Sequence, residues 1–133
     1  MLYKKPKKLG RGAEGTVYKI GDNLVKKVWY DTAWCDYGLY SIVRRIKNVE
    51  KKVKTLPKKV RKFVSVPEFA GYEKKGAQII TYHEYIKNEK IDLSKFYSSK
   101  LYEVLDDNFR DLQMNSNTFY NNGKYYLLDV GIR

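Results

Sequence analysis

The sequence predicts a single α+β domain spanning residues 1–133, with a strand-rich first part. Three observations indicate this class. The first thirty residues alternate apolar and polar side chains between turn signals, as strands do. Over residues 37–56 the apolar spacing changes to three and four residues, which is typical of a helix. The rest of the chain predicts two more strands, a second helix and a closing hairpin.

The first part predicts a β-meander. Residues 10–15 form a tight glycine-rich loop, residues 16–20 alternate in strand fashion, and residues 24–29 form a third strand. Between the last two strands, Gly21-Asp22-Asn23 predicts a hairpin turn, because these residue types readily adopt turn conformations.

Residues 37–56 predict a long amphipathic helix. Its apolar face consists of Leu39, Ile42, Val43, Ile46, Val49 and Val53. Its other face carries six cations, Arg44, Arg45, Lys47, Lys51, Lys52 and Lys54. Pro57 is expected to end the helix, because proline disfavours helical backbone at the residue before it. Residues 58–62 predict a second short helical turn.

The second part predicts strands at residues 68–72 and 77–82, joined by a turn at residues 74–76. Residues 93–105 have helical spacing, with Ser94 or Asp92 as the N-cap. A last hairpin, with strands at 118–120 and 124–128, is predicted around Asn121-Asn122-Gly123, which is a strong turn signal.

The composition excludes several kinds of chemistry. Cys35 is the single cysteine, so an internal disulfide is impossible and a reducing compartment is suitable. His83 is the single histidine, which leaves almost no material for zinc sites or for Ser–His and Cys–His nucleophiles. No stretch is apolar enough to span a membrane, and the N-terminus lacks a signal-peptide pattern. We therefore expect a cytoplasmic protein without membrane contact.

The chain carries a formal net charge of +12, which is large for 133 residues. Such a charge predicts attraction to polyanions such as nucleic acid, nucleotides or acidic proteins. The alternative is that the charges only keep the protein soluble. A nucleic-acid interface on the basic helix is therefore a possible partner surface.

A glycine motif, Gly10-x-Gly12-x-x-Gly15-x-Val17, lies between two predicted strands. Glycines in such a loop let backbone N–H groups approach phosphate oxygens. The pattern alone also fits a dinucleotide-binding fold or an ordinary hairpin. A dinucleotide-binding motif needs a helix after its glycines, whereas here a strand follows, as in the glycine-rich loop of kinases.

The next strand contains two adjacent lysines, Lys26 and Lys27. Because side chains alternate across a strand, Val25 and Lys27 share one face and Lys26 faces solvent, although a shift of one residue would exchange the two lysines. In the helix that follows, Glu50 is the only acidic residue among many cations. Its alternatives are an ordinary i,i+4 pair with Lys54 or a carboxylate that holds Lys27 in place, and we favour the second.

Another group of motifs lies near the end of the chain. Phe109-Arg110-Asp111-Leu112 is followed by Asn117 and, after a predicted hairpin, by Leu128-Asp129-Val130-Gly131. With the glycine loop, the strand lysine and the helix glutamate in this order, the chain resembles the protein-kinase-like superfamily over nearly its whole length. It is most similar to small atypical kinases, such as the Rio-type kinases and the kinase of the KEOPS tRNA-modification complex.

The resemblance implies a protein-kinase-like fold that binds ATP and Mg²⁺ or Mn²⁺. It divides the chain into a β-rich N-lobe at about residues 1–83 with one αC-type helix, a hinge at about 84–88, and a drastically reduced C-lobe at about 89–133. It also implies an ATP-binding set of Gly10, Gly12, Gly15, Val17, Val25, Lys27, Glu84 and Ile86. In this set Glu84 and Ile86 act through their backbones, and His83 lies at the gatekeeper position without a chemical role.

The implied catalytic residues are Asp111, which accepts the proton of a substrate hydroxyl, and Lys27, which binds the α- and β-phosphates and is held by Glu50. Asn117 and Asp129 are the implied metal ligands. The chain departs from the family pattern at Phe109, where a histidine is usual, and at Val130, where a phenylalanine is usual. Asn117 follows Asp111 by six residues instead of five, which places Ser116 at the usual position.

The resemblance stops at Arg133, before the activation loop and the large helical C-lobe of the family. We therefore expect a protein partner or a second copy of the chain to complete the missing lobe. Two classes of function follow. One is an ATP- and Mg²⁺-dependent phosphotransferase, acting on a partner, on itself or on a small molecule. The other is a catalytically inactive, pseudokinase-like nucleotide-binding or scaffold module, which could bind nucleic acid through its basic face.

Overall fold

A computed structural model describes residues 6–11, 14–30, 38–113 and 117–133. The chain folds as two compact units. Unit 1 contains the described residues up to Ile46 together with Glu68–Tyr85, and unit 2 contains Lys47–Pro67 together with the described residues from Ile86 to Arg133. The α+β class is confirmed. Residues 47–67, which the sequence interpretation placed in the first lobe, pack with the second unit.

Unit 1 is built on a five-stranded antiparallel sheet with the strand order β1-β2-β3-β6-β5. The strands are β1 Lys7–Arg11, β2 Gly15–Lys19, β3 Leu24–Trp29, β5 Phe69–Lys75 and β6 Gln78–Glu84. The predicted meander is confirmed, with β3 at the predicted residues. Strands β5 and β6 end three and two residues later than predicted, because their residues remain paired beyond the apolar stretch.

The first half of the long helix α1, Gly38–Lys54, belongs to unit 1. Its apolar positions contact Trp29 at the end of β3, so that Trp29, Ile42 and Ile79 form a small buried core. Leu39 and Ile46 pack around this core and are partly buried. The spacing of three and four residues that predicted the helix is therefore the spacing of the face that covers the sheet.

The second half of α1 contributes Val49 and Val53 to the core of unit 2. Pro57 follows the end of the helix, and the predicted second turn is α2, Lys58–Arg61. Burial of aliphatic and aromatic side chains is the main stabilising contribution here. The buried residues are Val49, Val53, Leu56, Val60, Val64, Phe96, Leu105, Phe109, Leu112, Leu127 and Val130.

The single helix predicted at residues 93–105 is wrong in one respect, because the structure divides it into α3, Ser94–Tyr97, and α4, Lys100–Asn108. The Ser99 side chain caps α4 by accepting a hydrogen bond from the backbone N–H of Tyr102, and its hydroxyl donates to the carbonyl of Phe96. Serine side chains compete in this way with helical backbone bonds. At the start of α3, the Asp92 carboxylate accepts the backbone N–H of Ser94.

Unit 2 also contains three short strands that the sequence did not predict. Strand β4, Val64–Ser65, pairs in parallel with β9, Lys124–Leu127, which forms the predicted hairpin with β8, Thr118–Asn121. Strands β7, Phe109–Arg110, and β10, Gly131–Ile132, pair with each other. Two-residue strands are too short for a periodic pattern.

The turn of the predicted hairpin is confirmed. Asn122 and Gly123 both have positive φ angles, 50° and 82°, as a two-residue type I′ turn requires. None of the helices in the described parts of the chain has the length and apolar character needed to cross a lipid bilayer.

Candidate active site

The glycine loop connects two antiparallel strands, as predicted, since Gly10 lies in β1 and Gly15 begins β2. Gly12 lies outside the described residues. Gly15 is buried, and a Cβ atom at this position would lie 2.4 Å from the carbonyl oxygen of Val28 on the neighbouring strand. A glycine is therefore required there by packing, independently of any phosphate. At Gly10 nothing lies within 4 Å of such an atom.

The structure distinguishes the two strand lysines. Strand β3 alternates in burial so that Val25, Lys27 and Trp29 share its buried face, and Lys27 is only 6% exposed. Val17 lies directly opposite Lys27 on β2. Lys26 belongs to the other face, where its ammonium group lies 5.6 Å from the ring centroid of Tyr18. Lys27 is therefore the lysine that shares a face with Val25, as predicted.

Lys27 is surrounded within unit 1 by a carboxylate, an aromatic ring and a second cation. Its Nζ lies 3.5 Å from Oε2 of Glu14 and 3.9 Å from the ring centroid of Trp29. Arg45, on α1, donates two hydrogen bonds to the same carboxylate, at 3.1 Å to Oε1 and 2.5 Å to Oε2. Its guanidinium lies 5.4 Å from the Trp29 ring. Sequence reasoning missed Glu14 and Arg45 as site residues, although Glu14 lies inside the glycine motif.

Trp29 is held in this group by a chain of hydrogen bonds across the sheet. The Trp29 indole N–H donates to Oγ1 of Thr81, at 2.9 Å, and Thr81 has no exposed surface. Nε2 of His83 lies 2.8 Å from the same hydroxyl. The ring of Phe69 packs at 5.6 Å against His83. His83 thus has both a hydrogen-bond contact and a ring contact within unit 1.

The predicted hinge begins where β6 ends. The Glu84 backbone N–H donates to the carbonyl of Glu68 at 2.8 Å, and the Glu84 carboxylate accepts the Glu68 N–H at 3.1 Å. Unit 1 ends at Tyr85, and Ile86 begins the second segment of unit 2, where it is buried. The backbone N–H of Glu84 is thus bonded within unit 1, and the adenine contact of the Glu84 backbone stays a prediction.

In unit 2, the pairing of β7 with β10 brings the two C-terminal motifs together. Arg110 lies opposite Gly131, and Phe109 lies opposite Ile132. Phe109, which occupies the usual histidine position, has no exposed surface and belongs to the core. It therefore supports the loop by packing. Asp111 follows β7 directly, and Asp129 is separated from the start of β10 by Val130 alone. The two aspartates therefore lie at the same end of this two-stranded ribbon.

Asn117 connects the two aspartates through their backbones. Its Nδ2 donates to the carbonyl oxygen of Asp111 at 2.9 Å and to that of Asp129 at 3.4 Å. Both aspartates have left-handed backbone conformations, with φ angles of 65° and 52°. Aspartate and asparagine are the non-glycine residues that adopt this region most readily. Both side chains are exposed. Ser116, the alternative to Asn117, lies outside the described residues.

The donor set of this group fits a hard divalent cation. Asp111 and Asp129 supply carboxylate oxygens, and Asn117 can supply its amide oxygen, since its nitrogen is used in the backbone bonds. Mg²⁺ binds through one or two carboxylates plus substrate phosphates, and so does not need a complete protein cage. The described residues contain no group of three His, Cys, Asp or Glu side chains that could hold a metal ion, so metal binding by this group stays a prediction.

Glu50, the predicted partner of Lys27, belongs to the half of α1 that packs in unit 2. It follows Val49, whose side chain lies in the core of that unit, and is itself half-buried. Its role as the partner of Lys27 stays a prediction. The carboxylate that contacts Lys27 within unit 1 is that of Glu14.

Compared with the known protein families, the chain matches none, and it has no significant match among curated proteins. The resemblance to protein kinases therefore rests on the motifs and on the residues described above.

Proposed function

We propose that this chain is a Mg²⁺-dependent phosphotransferase that moves the γ-phosphoryl group of ATP to a hydroxyl group of a partner protein or of the chain itself. The observation that supports it best is the group in unit 2. Two exposed aspartates from separate motifs have their backbone carbonyls bonded to one amide side chain. Carboxylate oxygens of this kind are the protein ligands that Mg²⁺ binds beside substrate phosphates.

The proposed roles follow the chemistry of each group. In unit 1, Lys27 would bind phosphate oxygens of the nucleotide. In unit 2, Asp129 and Asn117 would hold the metal ion, which neutralises phosphate charge when it is bound. Asp111 would accept the proton of the substrate hydroxyl. The hydroxyl oxygen then forms a bond to the γ-phosphorus as the bond from that phosphorus to the β–γ bridging oxygen breaks, and ADP leaves.

The experiment that tests this function is transfer of labelled γ-phosphate from ATP with Mg²⁺ or Mn²⁺, to the protein itself and to generic acceptor proteins. Asp111→Asn is expected to lower the rate by roughly 10²–10⁴-fold, as loss of a general base does. Asp129→Asn is expected to remove metal-dependent transfer. Asp107→Asn is the matched control, because Asp107 is an exposed acid on α4 of the same unit, and it should transfer like the wild type.

Two other outcomes reject the enzyme. Metal-dependent binding of ATP without transfer by the wild type would indicate a non-catalytic nucleotide-binding module. Absence of ATP binding in a thermal-shift assay would reject both nucleotide functions.

A second candidate function, nucleic-acid binding, is favoured by the surface of unit 2. The segment from Lys47 to Lys62 contains one acidic residue, Glu50, and eight cations. Seven of the eight are exposed and Lys52 is half-buried. The cations are Lys47, Lys51, Lys52, Lys54, Lys58, Lys59, Arg61 and Lys62. The exposed ring of Phe63 lies beside this segment, 5.1 Å from the Lys62 ammonium group. Cations next to an exposed aromatic ring are typical of single-strand binding surfaces.

Fluorescence anisotropy with a labelled single-stranded oligonucleotide tests this candidate. Replacement of Lys51, Lys58 and Arg61 by Gln is expected to weaken binding and to reduce the slope of log affinity against log salt concentration by about two, since each lost phosphate contact contributes about 0.7. Lys7→Gln and Lys8→Gln on the exposed strand β1 serve as the charge control. Equal weakening by the control would indicate only non-specific attraction to the net charge.

A further inference from the structure

We propose that Glu14, in the glycine loop, is the positioning residue for Lys27, the role that the sequence pattern assigned to Glu50. This inference rests on the proposed phosphotransferase function for its catalytic consequence, but the ion pair itself is a property of unit 1. The residues that carry it, Glu14, Lys27, Trp29 and Arg45, all belong to that unit.

The Glu14 carboxylate is held on both sides. The backbone carbonyl of Glu14 accepts the N–H of Tyr30 at 2.9 Å, and the next residue, Gly15, is fixed in close contact with Val28. Its carboxylate receives two hydrogen bonds from Arg45, which is the planar two-pronged geometry that guanidinium and carboxylate groups favour. A carboxylate fixed at its backbone and at its head group can orient a neighbouring cation.

Lys27 needs such an orienting group because its side chain is only 8% exposed. A nearly buried ammonium group has lost most of its water, so nearby negative charge and an aromatic face must replace that solvation. Glu14 lies 3.5 Å from Nζ and supplies the charge, and Trp29 supplies the face. The same carboxylate also accepts two hydrogen bonds from Arg45.

The helix supplies the opposite charge from the one expected. Ile42 and Ile46 cover Trp29, and Arg45 is three residues after Ile42 on the same side of α1. The helical residue that approaches this part of the sheet is therefore a cation, and the acid comes from the loop.

The test compares Glu14→Gln with Glu50→Gln, which makes the same change on the residue predicted from the sequence. The first measurement, made without nucleotide, is the rate at which an amine-reactive acylating reagent modifies Lys27. The modified peptide is quantified by mass spectrometry. Loss of the Glu14 carboxylate releases the Lys27 amine from its ion pair, so the acylation rate at Lys27 should rise by roughly three- to tenfold. Glu50→Gln should leave it unchanged. Glu14→Asp, which retains the charge, should behave like the wild type within about twofold.

The second measurement is steady-state phosphate transfer. Glu14→Gln is expected to lower kcat/KM for ATP by roughly tenfold or more, and Glu14→Asp to restore most of it. The proposal is overturned if Lys27 acylation does not respond to Glu14→Gln, if Glu50→Gln has the same effect, or if Glu14→Asp resembles Glu14→Gln. If the wild type transfers no phosphate, the enzyme proposal fails, while the acylation rates still decide whether Glu14 or Glu50 holds Lys27.

Discussion

Replacing Asn117 by Ala is expected to destabilise unit 2 by about 1–2 kcal/mol. Its side chain donates two hydrogen bonds to backbone carbonyls, one at 2.9 Å to Asp111 and a longer one at 3.4 Å to Asp129. A typical intramolecular hydrogen bond contributes about 1 kcal/mol, and the longer bond contributes less. The residue is half-buried, so water can only partly replace the lost donor.

The measurement is thermal and urea-induced unfolding followed by circular dichroism. For a domain of this length, about 1 kcal/mol corresponds to roughly 3–5 °C in Tm, so the expected decrease is roughly 3–10 °C. Asn48→Ala is the matched control. Asn48 is exposed on α1, where alanine is the better helix former, so this variant should be as stable as the wild type or slightly more stable.

Asn117→Asp separates the two roles of this side chain. Aspartate keeps an oxygen ligand for a cation but has no N–H to donate, so we expect the same loss of stability with Mg²⁺ affinity retained. If Asn117→Ala unfolds within about 0.3 kcal/mol of Asn48→Ala, the two hydrogen bonds do not hold the aspartates, and the geometric support for the proposed site is lost.

Three further predictions concern the fold and its titration. Leu105→Ala should cost about 2–5 kcal/mol in urea-induced unfolding, because Leu105 has no exposed surface and its loss leaves a cavity. Asp111→Gly should be more stable than Asp111→Ala by about 1 kcal/mol, since glycine adopts the left-handed conformation without strain; equal stabilities would contradict the strained φ of 65°. A hydrogen bond to Glu73, with burial, raises the pKa of Tyr82 above its ordinary value of 10.0, so the stability it adds is complete below that value and is lost as the pH rises through the raised pKa. Tyr82→Phe should therefore lose less stability than the wild type between neutral pH and pH of about 11 in urea titrations.

Long periodic elements were predictable from the sequence because their side chains repeat over many residues. Helix α1 and strand β3 lie where their apolar spacing placed them, and the hairpin at Asn122 and Gly123 follows from residue types that tolerate positive φ. The short strands β4, β7 and β10 were not predictable, since two residues carry no period. They form because the surrounding core holds their backbones together.

The division of the second helical region had a local cause that periodicity cannot detect. Residues 93–105 have continuous helical spacing, but Ser99 bonds to the backbone on both sides and caps a new helix. Serine is compatible with a helix and with a cap, so its position alone does not decide between them. A second helix, α4, therefore begins at Lys100.

The contact between Glu14 and Lys27 could not be predicted from spacing, because charge pairing across a sheet and a helix depends on three-dimensional placement. The sequence offered Glu50, the only acid of a basic helix, and its pairing with Lys27 stays a prediction. The structure brings Arg45 and Glu14 together near Lys27, although the two lie 31 residues apart in the chain. No spacing rule connects a loop carboxylate with a helix cation at this separation, so the pairing follows only from the packing of α1 on the sheet.

The loop at Asp111 is held by packing of Phe109 and by hydrogen bonds of Asn117 together. A histidine before the aspartate would support the loop with polar contacts, but Phe109 is fully buried and can offer only packing. The hydrogen bonds that such a loop still requires come from Asn117, whose amide nitrogen reaches the carbonyls of both aspartates. Loss of Asn117 should therefore affect both aspartates at once, whereas loss of one carboxylate should leave the backbone of the other in place.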